Sequence, residues 1–150
     1  MPLFAVITVL IFVRSDCPIS NRYAPEIQRL SREFSGRVEF QLVYPDRSET
    51  PKTIEKHRAE YGYTIAYRRD PDHTLVKRAK ARVTPEAAVF SSHGELLYHG
   101  RIDDRYIDFG KSRTEPTTHD LEDALQSVLA GRPVKTPTTR AIGCFLADVK

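Results

Sequence analysis

A continuous apolar run near the N-terminus leads through a short polar turn into an amphipathic helical pattern. Residues Leu3–Val13 are almost all aliphatic, β-branched or aromatic, which is the pattern of a strand buried on both faces. Ile27, Leu30 and Phe34 then recur at helical spacing. The sequence therefore predicts a central strand that turns into a helix, and Cys17 lies in the turn between them.

Cys17 stands where the predicted helix begins. Pro18 suits the first helical position because the N–H group that it lacks would have no partner there. Cys17 would then face unpaired backbone N–H groups, which favour a thiolate over a thiol. This position predicts a reactive cysteine, whereas the structural alternative is a small buried side chain without chemistry.

Length, charge and cysteine content limit the class of protein. The chain has 150 residues, 40% of them hydrophobic, which suits a single domain with one core. A net charge of +3 is too small to indicate nucleic-acid binding, and the basic run Lys77–Arg82 is expected to be a solvated helix face. Two cysteines cannot build a disulfide framework, but they suffice for one functional pair.

The N-terminal apolar run is too short to cross a bilayer, which needs about 20 residues, so we expect no membrane span. Met1 and Pro2 offer no basic segment for a signal peptide. A cytoplasmic location is expected for the chain as it stands. An exported or periplasmic location is expected instead if the chain is a shortened form of a longer precursor, so the sequence leaves the compartment open.

The rest of the chain alternates between strand and helix patterns. Alternation at Val38, Phe40 and Leu42 predicts a second strand parallel to the first, and Thr64–Tyr67 reads as a short extended piece. Two runs around a tight turn predict a hairpin. The hairpin strands are predicted at Ala87–Ser91 and Leu96–Gly100. Helices are predicted at Pro51–Tyr61, from Asp70 to about Ala81, and at His119–Leu129. The segment Ile102–Thr118 is expected to be a surface loop. This order predicts an α/β fold with a central mixed sheet of about four strands flanked by helices.

Four segments carry recognisable motifs: residues 16–26 (Asp-Cys-Pro-Ile-Ser-Asn-Arg-Tyr-Ala-Pro-Glu), 83–87, 98–105 and 139–144. Together they resemble the thioredoxin-like superfamily, and within it the redoxin and alkyl-hydroperoxide-reductase/thiol-specific-antioxidant group, which is peroxiredoxin-like. The resemblance implies a thioredoxin-like domain over residues 1–131, whereas the prolines and threonines of the tail predict an extended C-terminal arm over residues 132–150. The resemblance also implies that the Thr84–Pro85 peptide bond is cis and that its loop lies against Cys17.

Two positions depart from the patterns of related proteins. Thioredoxins carry a second cysteine three residues after the first, but Ser20 stands there in this chain. No disulfide can form inside the motif, although the Ser20 hydroxyl is expected to donate a hydrogen bond to the Cys17 thiolate. Typical peroxiredoxins have threonine or serine three residues before the reactive cysteine and proline further upstream, whereas Arg14 and Leu10 occupy those positions. These departures count against a peroxidase.

A second thiol must complete any redox cycle that begins at Cys17. A thiolate there can attack a disulfide, a peroxide or a sulfenic acid. Because Ser20 cannot resolve the product, either Cys144 or an external thiol must do so. The arm, rich in proline and threonine, is long enough to return Cys144, which predicts Cα atoms about 4.4–6.8 Å apart. In the alternative, Cys144 is an unrelated residue on the tail.

Two arginines are the candidate substrate-binding residues. Arg22 would lower the pKa of the Cys17 thiol, as would Arg14, whereas Asp16 would raise it. Arg101 begins a charged segment that follows the hairpin, on the side where proteins of this resemblance have their active site. The alternative for that segment, which continues through Asp103, Asp104 and Arg105, is a self-satisfied surface cluster of salt bridges.

The histidines show no metal-ligand spacing, and no metal or other cofactor is predicted. His57, His73 and His93 are expected at the surface.

Three functions follow. The first is a thiol-disulfide oxidoreductase or thiol-dependent antioxidant, an enzyme that uses a thiol, disulfide or peroxide substrate and an external reductant. The second is a copper-binding or copper-delivery module that holds Cu(I) with Cys17, Cys144 and one histidine. The third is a redox-inactive interaction domain, and a homodimer through a sheet edge stays open for each of them.

Overall fold

The computed structural model describes residues 6–146. Its central strand, β1 (Thr8–Phe12), is buried along its whole length. Side chains alternate along a strand, so Val9 and Ile11 enter one core cluster and Leu10 and Phe12 enter another. The prediction of a strand buried on both faces is confirmed for these residues, whereas its first part, Leu3–Ala5, lies outside the described residues.

The main sheet has five strands with β1 at its centre. β2 (Glu39–Tyr44) pairs parallel with β1, and β3 (Ala66–Arg69) pairs parallel with β2. β4 (Val83–Thr84) lies outside this sheet. β5 (Glu86–Phe90) pairs antiparallel with β1 and β6 (Leu96–Gly100) pairs antiparallel with β5, which gives the order β3-β2-β1-β5-β6. The predicted hairpin and the predicted parallel second strand are confirmed. The sheet has five strands rather than about four, because the short extended piece pairs with β2 as β3.

Helices cover both faces of this sheet. They are α1 (Pro18–Arg22), α2 (Ala24–Glu33), α3 (Pro51–Glu60), α4 (Thr74–Ala79) and α5 (Asp120–Leu129). The larger core cluster joins one face of the sheet to α2, α3 and α5, and the smaller cluster joins the other face to α4. Within residues 6–146, no helix is both long enough and apolar enough to cross a bilayer.

The helix predicted after Cys17 is divided in two at Tyr23. Pro25 lies in the first turn of α2, where its missing N–H group costs nothing, but in a continuous helix it would remove the bond to the Asn21 carbonyl. The break leaves α1 as a short separate helix that carries Cys17 at its start.

The segment predicted as a surface loop, residues 102–118, is partly buried. It contains a two-stranded hairpin, β7 (Tyr106–Asp108) and β8 (Lys111–Ser112). Asp103 is buried and accepts a hydrogen bond of 2.7 Å from the Tyr23 hydroxyl, and buried Asp104 accepts from the backbone of Thr117. The alternative of a self-contained surface salt-bridge cluster is therefore wrong, because these carboxylates bind partners distant in the sequence.

Two of the three histidines expected at the surface are buried. His57 is 3% exposed and His73 is 5% exposed, whereas His93 is exposed as predicted. Each buried ring has a hydrogen-bond partner, which is the usual condition for burying a polar side chain. For His73 the partner is the Pro45 carbonyl, at 3.1 Å, and His57 belongs to a network beside Cys17.

Candidate functional site

Cys17 caps the N-terminus of α1 immediately after the central strand. Its backbone is extended, with φ −93° and ψ 112°, and Pro18 occupies the first helical turn as predicted. The Ser20 backbone N–H group donates to the Cys17 Sγ atom at 3.4 Å. Cys17 is 1% exposed, so solvent does not reach its sulfur in the disulfide form.

Cys144 returns from the C-terminal arm and forms a disulfide with Cys17. The two Cα atoms are 6.2 Å apart and the residues are separated by 127 positions. This distance lies within the usual range for disulfides. The prediction that Cys144 comes back to Cys17 is confirmed.

The Thr84–Pro85 peptide bond is cis, and its loop lies against the disulfide as predicted. The Thr84 carbonyl oxygen is 3.3 Å from the Cys17 Sγ atom. The disulfide sulfur carries no hydrogen, so this is a contact in the oxidised protein. In the reduced protein the Cys17 thiol is placed to donate a hydrogen bond to the same oxygen.

Ser20 contributes to the site through its backbone. Its hydroxyl is buried and has no hydrogen-bond partner within residues 6–146, and the same holds for the hydroxyl of Thr84. The Ser20 hydroxyl thus makes no hydrogen bond to sulfur in the disulfide form, and the hydrogen bond expected to the Cys17 thiolate of the reduced protein stays a prediction. The backbone amide takes that place because the first N–H groups of a helix have no partner inside the helix.

Within residues 132–146, the arm is attached to the domain at two places. At the first, the Thr139 N–H group donates to the His99 carbonyl, and the Thr139 hydroxyl accepts from the Arg101 N–H group at 2.9 Å. At the second, β9 (Cys144–Phe145) pairs antiparallel with β4 (Val83–Thr84). The cysteine thus reaches the site on a segment that is held by backbone hydrogen bonds as well as by the disulfide.

Two glycines allow the arm to approach the domain closely. A Cβ atom on Gly143 would overlap the Thr84 carbonyl, and one on Gly100 would overlap Thr139. Gly100 also has a φ of +145°, which other residues rarely adopt. Both glycines lie in motifs that carried the resemblance, but their role depends on contacts that the sequence does not reveal.

We expect Gly143→Ala to displace β9 from β4, because its Cβ atom meets backbone that cannot move aside. The equilibrium constant for closing the Cys17–Cys144 disulfide should fall by at least about tenfold. Titration in a thiol redox buffer, with the two states resolved by mass spectrometry, measures this constant. In the control, Thr136→Ala, atoms are removed from an exposed residue of the same arm, and that constant should not change. An unchanged constant in Gly143→Ala would contradict the prediction.

A chain of hydrogen bonds links the turn before Cys17 to helix α3 and strand β2. The Asn21 amide donates to the Ser15 carbonyl at 2.9 Å, and its Oδ1 atom lies 2.7 Å from His57 Nε2. The Asn21 oxygen can only accept, so His57 Nε2 carries the proton and the Tyr44 hydroxyl donates to Nδ1, at 2.7 Å. His57 was predicted at the surface, although its spacing of three residues from the buried Ile54 on α3 indicates the buried face of that helix.

Burial lowers the pKa of His57, and only the charge of Glu60 opposes that effect. Below about pH 6.5, His57 is therefore protonated in the unfolded chain but not in the folded protein. The free energy of unfolding falls as the pH falls through this range. We expect His57→Gln to remove part of this loss, up to about 1.4 kcal/mol per pH unit. Urea unfolding of both proteins above and below pH 6.5 measures this loss. His99 is present in both, so its contribution cancels in the comparison. An equal dependence of the free energy of unfolding on pH in the two proteins would contradict the prediction.

The charged groups before Cys17 are paired with one another. The Arg14 guanidinium binds the Asp16 carboxylate through two hydrogen bonds of 3.0 Å. Glu49 is buried and accepts from the Ser15 N–H group at 3.2 Å, and burial raises the pKa of its carboxyl group. These contacts hold the turn, and they leave neither Arg14 nor Asp16 as an isolated charge beside the sulfur.

Each of the two candidate substrate-binding arginines contacts a side chain other than the cysteines. Arg22 is exposed and its guanidinium lies 5.8 Å from the centre of the Tyr106 ring. Arg101 forms an ion pair with Asp120, with 2.7 Å between Nε and Oδ2. The site therefore collects Cys17, Ser20, Thr84, Pro85 and Cys144, whereas substrate binding by the arginines stays a prediction.

A cavity of about 570 Å³ lies beside the arm. Gly143 and Phe145 line it, whereas Cys144 between them does not, in keeping with the alternation of side chains along a strand. Glu86 closes one side and accepts backbone hydrogen bonds from Arg82 and Val83. Burial raises the pKa of its carboxyl group. The remaining walls come from Lys80, His99, Phe109 and arm residues 138–142.

Within residues 6–146, one group of three His, Cys, Asp or Glu side chains is close enough to hold a metal ion, and it includes neither cysteine. The group is Glu26, His119 and Glu122. Arg29 already binds both carboxylates, at 2.7 and 2.9 Å. The expected alternative of Cu(I) held by two thiols and one histidine has no geometric support in this part of the chain.

Several solved structures are similar to this chain. No family model and no curated protein matches the chain. An uncharacterized conserved protein from Geobacillus kaustophilus is similar in structure, with 24% identity, 97% of this chain and 80% of that chain covered, and a TM-score of 0.81. A hypothetical protein from Sinorhizobium meliloti 1021 is similar as well, with 22% identity, 94% of this chain and 79% of that chain covered, and a TM-score of 0.80.

A secreted Mycobacterium tuberculosis disulfide oxidoreductase homologous to E. coli DsbE is also similar, with 16% identity, 80% of this chain and 79% of that chain covered, and a TM-score of 0.57. Likeness at this level of identity shows the fold alone. The α/β thioredoxin-like fold expected from the sequence is confirmed, and it is shared with structures of thiol-disulfide oxidoreductases.

Proposed function

We propose that this protein is a thiol-disulfide oxidoreductase in which Cys17 is the nucleophile and Cys144 the resolving thiol. The observation that carries the proposal is the disulfide between them, which joins a helix N-cap to a separate arm beside a cis-proline loop. A purely structural disulfide would not need a cysteine at a helix start, where backbone donors favour the thiolate.

Cys17 is the better nucleophile of the two cysteines. The N–H group of Ser20 lies within hydrogen-bond reach of its sulfur, and a hydrogen bond to the charged form lowers the pKa of a thiol. Because α1 has only five residues, this direct bond matters more than a helix dipole. Cys144 is half-buried in a two-residue strand on the arm, which suits a thiol that has to move in and out.

The cycle balances with two electrons. The Cys17 thiolate attacks one sulfur of a substrate disulfide, an S–S bond forms to Cys17, and the other substrate sulfur leaves as a thiolate. The Cys144 thiolate then attacks the Cys17 sulfur, the substrate leaves as its second thiolate, and the Cys17–Cys144 disulfide remains. An external thiol reductant returns both cysteines to the reduced form, and the reverse sequence oxidises a dithiol substrate.

The redoxin-type resemblance extends this proposal to peroxides as oxidants. The Cys17 thiolate would then attack one peroxide oxygen, the O–O bond would break, and the other oxygen would leave as hydroxide or an alkoxide while Cys17 becomes a sulfenic acid. The Cys144 thiol would attack that sulfur, and water would leave as the same disulfide forms. Disulfides are favoured as substrates because Arg14, which stands three residues before the cysteine, is bound to Asp16 and is not free to bind a peroxide oxygen.

The test is a single-turnover experiment with the reduced full chain. Mixing it with excess protein disulfide should consume two protein thiols, release two substrate thiols and leave one intramolecular Cys17–Cys144 disulfide, identified by peptide mass spectrometry. A parallel reaction with hydrogen peroxide separates the two oxidants. Thiols that stay unreactive toward both oxidants, or react only between molecules, would overturn the proposal.

A further inference from the structure

We propose that this site selects partner segments with glycine directly before the reacting cysteine and an aromatic residue directly after it, and that Phe109 recognises the aromatic residue. The inference rests on the proposed function and names the substrate class of that same site. Its occupant is an extended Gly-Cys-aromatic segment of a partner protein, which arrives as a disulfide.

The chain's own arm shows how such a segment binds. Cys144 pairs with Thr84 and Phe145 pairs with Val83 in an antiparallel ladder, and the Leu146 N–H group donates to the Arg82 carbonyl at 3.0 Å. These backbone hydrogen bonds are available to any extended segment. When reduction frees the arm, an external cysteine segment finds the same β4 edge, so side chains must decide which segments fit.

The position before the cysteine admits no side chain. A Cβ atom on Gly143 would overlap the carbonyl carbon and oxygen of Thr84 and press on the Pro85 nitrogen. These atoms belong to the backbone of the cis-proline loop, which also contacts Cys17. A partner residue larger than glycine therefore has to move away from β4, which moves its cysteine away from Cys17.

The position after the cysteine meets an aromatic side chain that the domain itself supplies. Phe109 lies at the tip of the β7–β8 hairpin and is 54% exposed, although large apolar side chains are usually buried. Its ring centre is 6.2 Å from that of Phe145, which is 69% exposed. Both rings line the cavity, so Phe109 loses this aromatic neighbour whenever the arm leaves and gains one when an aromatic partner residue binds.

The experiment uses the full-length Cys144→Ser protein, which cannot resolve a mixed disulfide. Short peptides containing Gly-Cys-Phe, Ala-Cys-Phe or Gly-Cys-Ser carry thionitrobenzoate on the cysteine as a mixed disulfide. Attack by the Cys17 thiolate on the peptide sulfur releases thionitrobenzoate, whose absorbance gives the rate. Each rate is divided by that of the same peptide with a small free thiol, which removes differences in intrinsic reactivity.

We expect Gly-Cys-Phe to react at least about tenfold faster than Ala-Cys-Phe, because a backbone clash cannot be relieved locally. It should react about fivefold faster than Gly-Cys-Ser, the gain expected from one aromatic pair. Phe109→Ala should abolish the preference for phenylalanine and keep that for glycine. The control Ile107→Ala, at an exposed position of the same hairpin, should keep both.

Each contrary result has its own meaning. Equal rates for the three peptides, with rapid reaction of Cys17 toward a small aromatic disulfide, would overturn this inference and leave the proposed function standing. A phenylalanine preference that survives Phe109→Ala would overturn the role given to Phe109. A Cys17 thiol that is inert toward peptides and small disulfides alike would overturn the proposed function and this inference with it.

Discussion

Replacing Cys144 by serine is expected to leave only the first half of one catalytic round, in which Cys17 rapidly releases one substrate thiol and keeps the other as a mixed disulfide. Later turnover should be slower by at least about a hundredfold at limiting reductant. The first attack needs only Cys17, whose N-cap position is unchanged. Resolution then depends on a thiol at high effective concentration, which the arm supplies because the Thr139 contacts tether it to the domain close to Cys17. An external thiol has no such tether and must reach the mixed disulfide by collision from solution.

Stopped-flow measurement of product thiol, followed by mass spectrometry, checks this expectation. The Cys144→Ser protein should accumulate a mixed disulfide between Cys17 and the substrate. Cys17→Ser is the matched variant, since it removes the other half of the same disulfide, and it should show no initial round at all. Steady turnover of Cys144→Ser at the rate of the unchanged protein would mean that Cys144 does not resolve the intermediate.

Reduction of the disulfide is expected to lower the free energy of unfolding by about 3–5 kcal/mol. The bond joins residues 127 positions apart, and closing so long a loop removes many conformations from the unfolded chain. The loss is comparable to a large part of the stability of an ordinary domain. The reduced protein should therefore unfold at a clearly lower urea concentration than the oxidised protein.

Urea unfolding with and without reductant measures this difference. Cys144→Ser serves as the control because it has no disulfide to lose, so reductant should not shift its midpoint. That variant should resemble the reduced form of the unchanged protein, since both retain the Thr139 contacts of the arm. A difference below about 1 kcal/mol between the oxidised and reduced forms would show that the disulfide does not constrain the unfolded chain as its loop length implies.

Local patterns in the sequence were sufficient to predict the framework of the fold. The apolar run around β1 identified a strand buried on both faces, because side-chain direction alternates along any strand. The turn residues between β5 and β6 identified the hairpin, and Pro18 identified the start of the helix at Cys17. The cis bond before Pro85 came from the resemblance rather than from the residues, since few proline bonds are cis.

The sequence by itself thus determined where the strands of the main sheet and most of the helices lie, and it predicted that Cys17 and Cys144 meet. It did not show the division of the helix at Tyr23 or the β7–β8 hairpin. Tertiary structure alone decided what surrounds the two cysteines. Asn21 bonds to His57 over 36 positions and Tyr23 to Asp103 over 80. Periodicity reports only which face of an element is apolar, whereas a buried polar group is stabilised by whichever partner the folded chain places within reach. For the same reason, the sequence could not show that Gly143 and Phe109 shape the place where the arm binds.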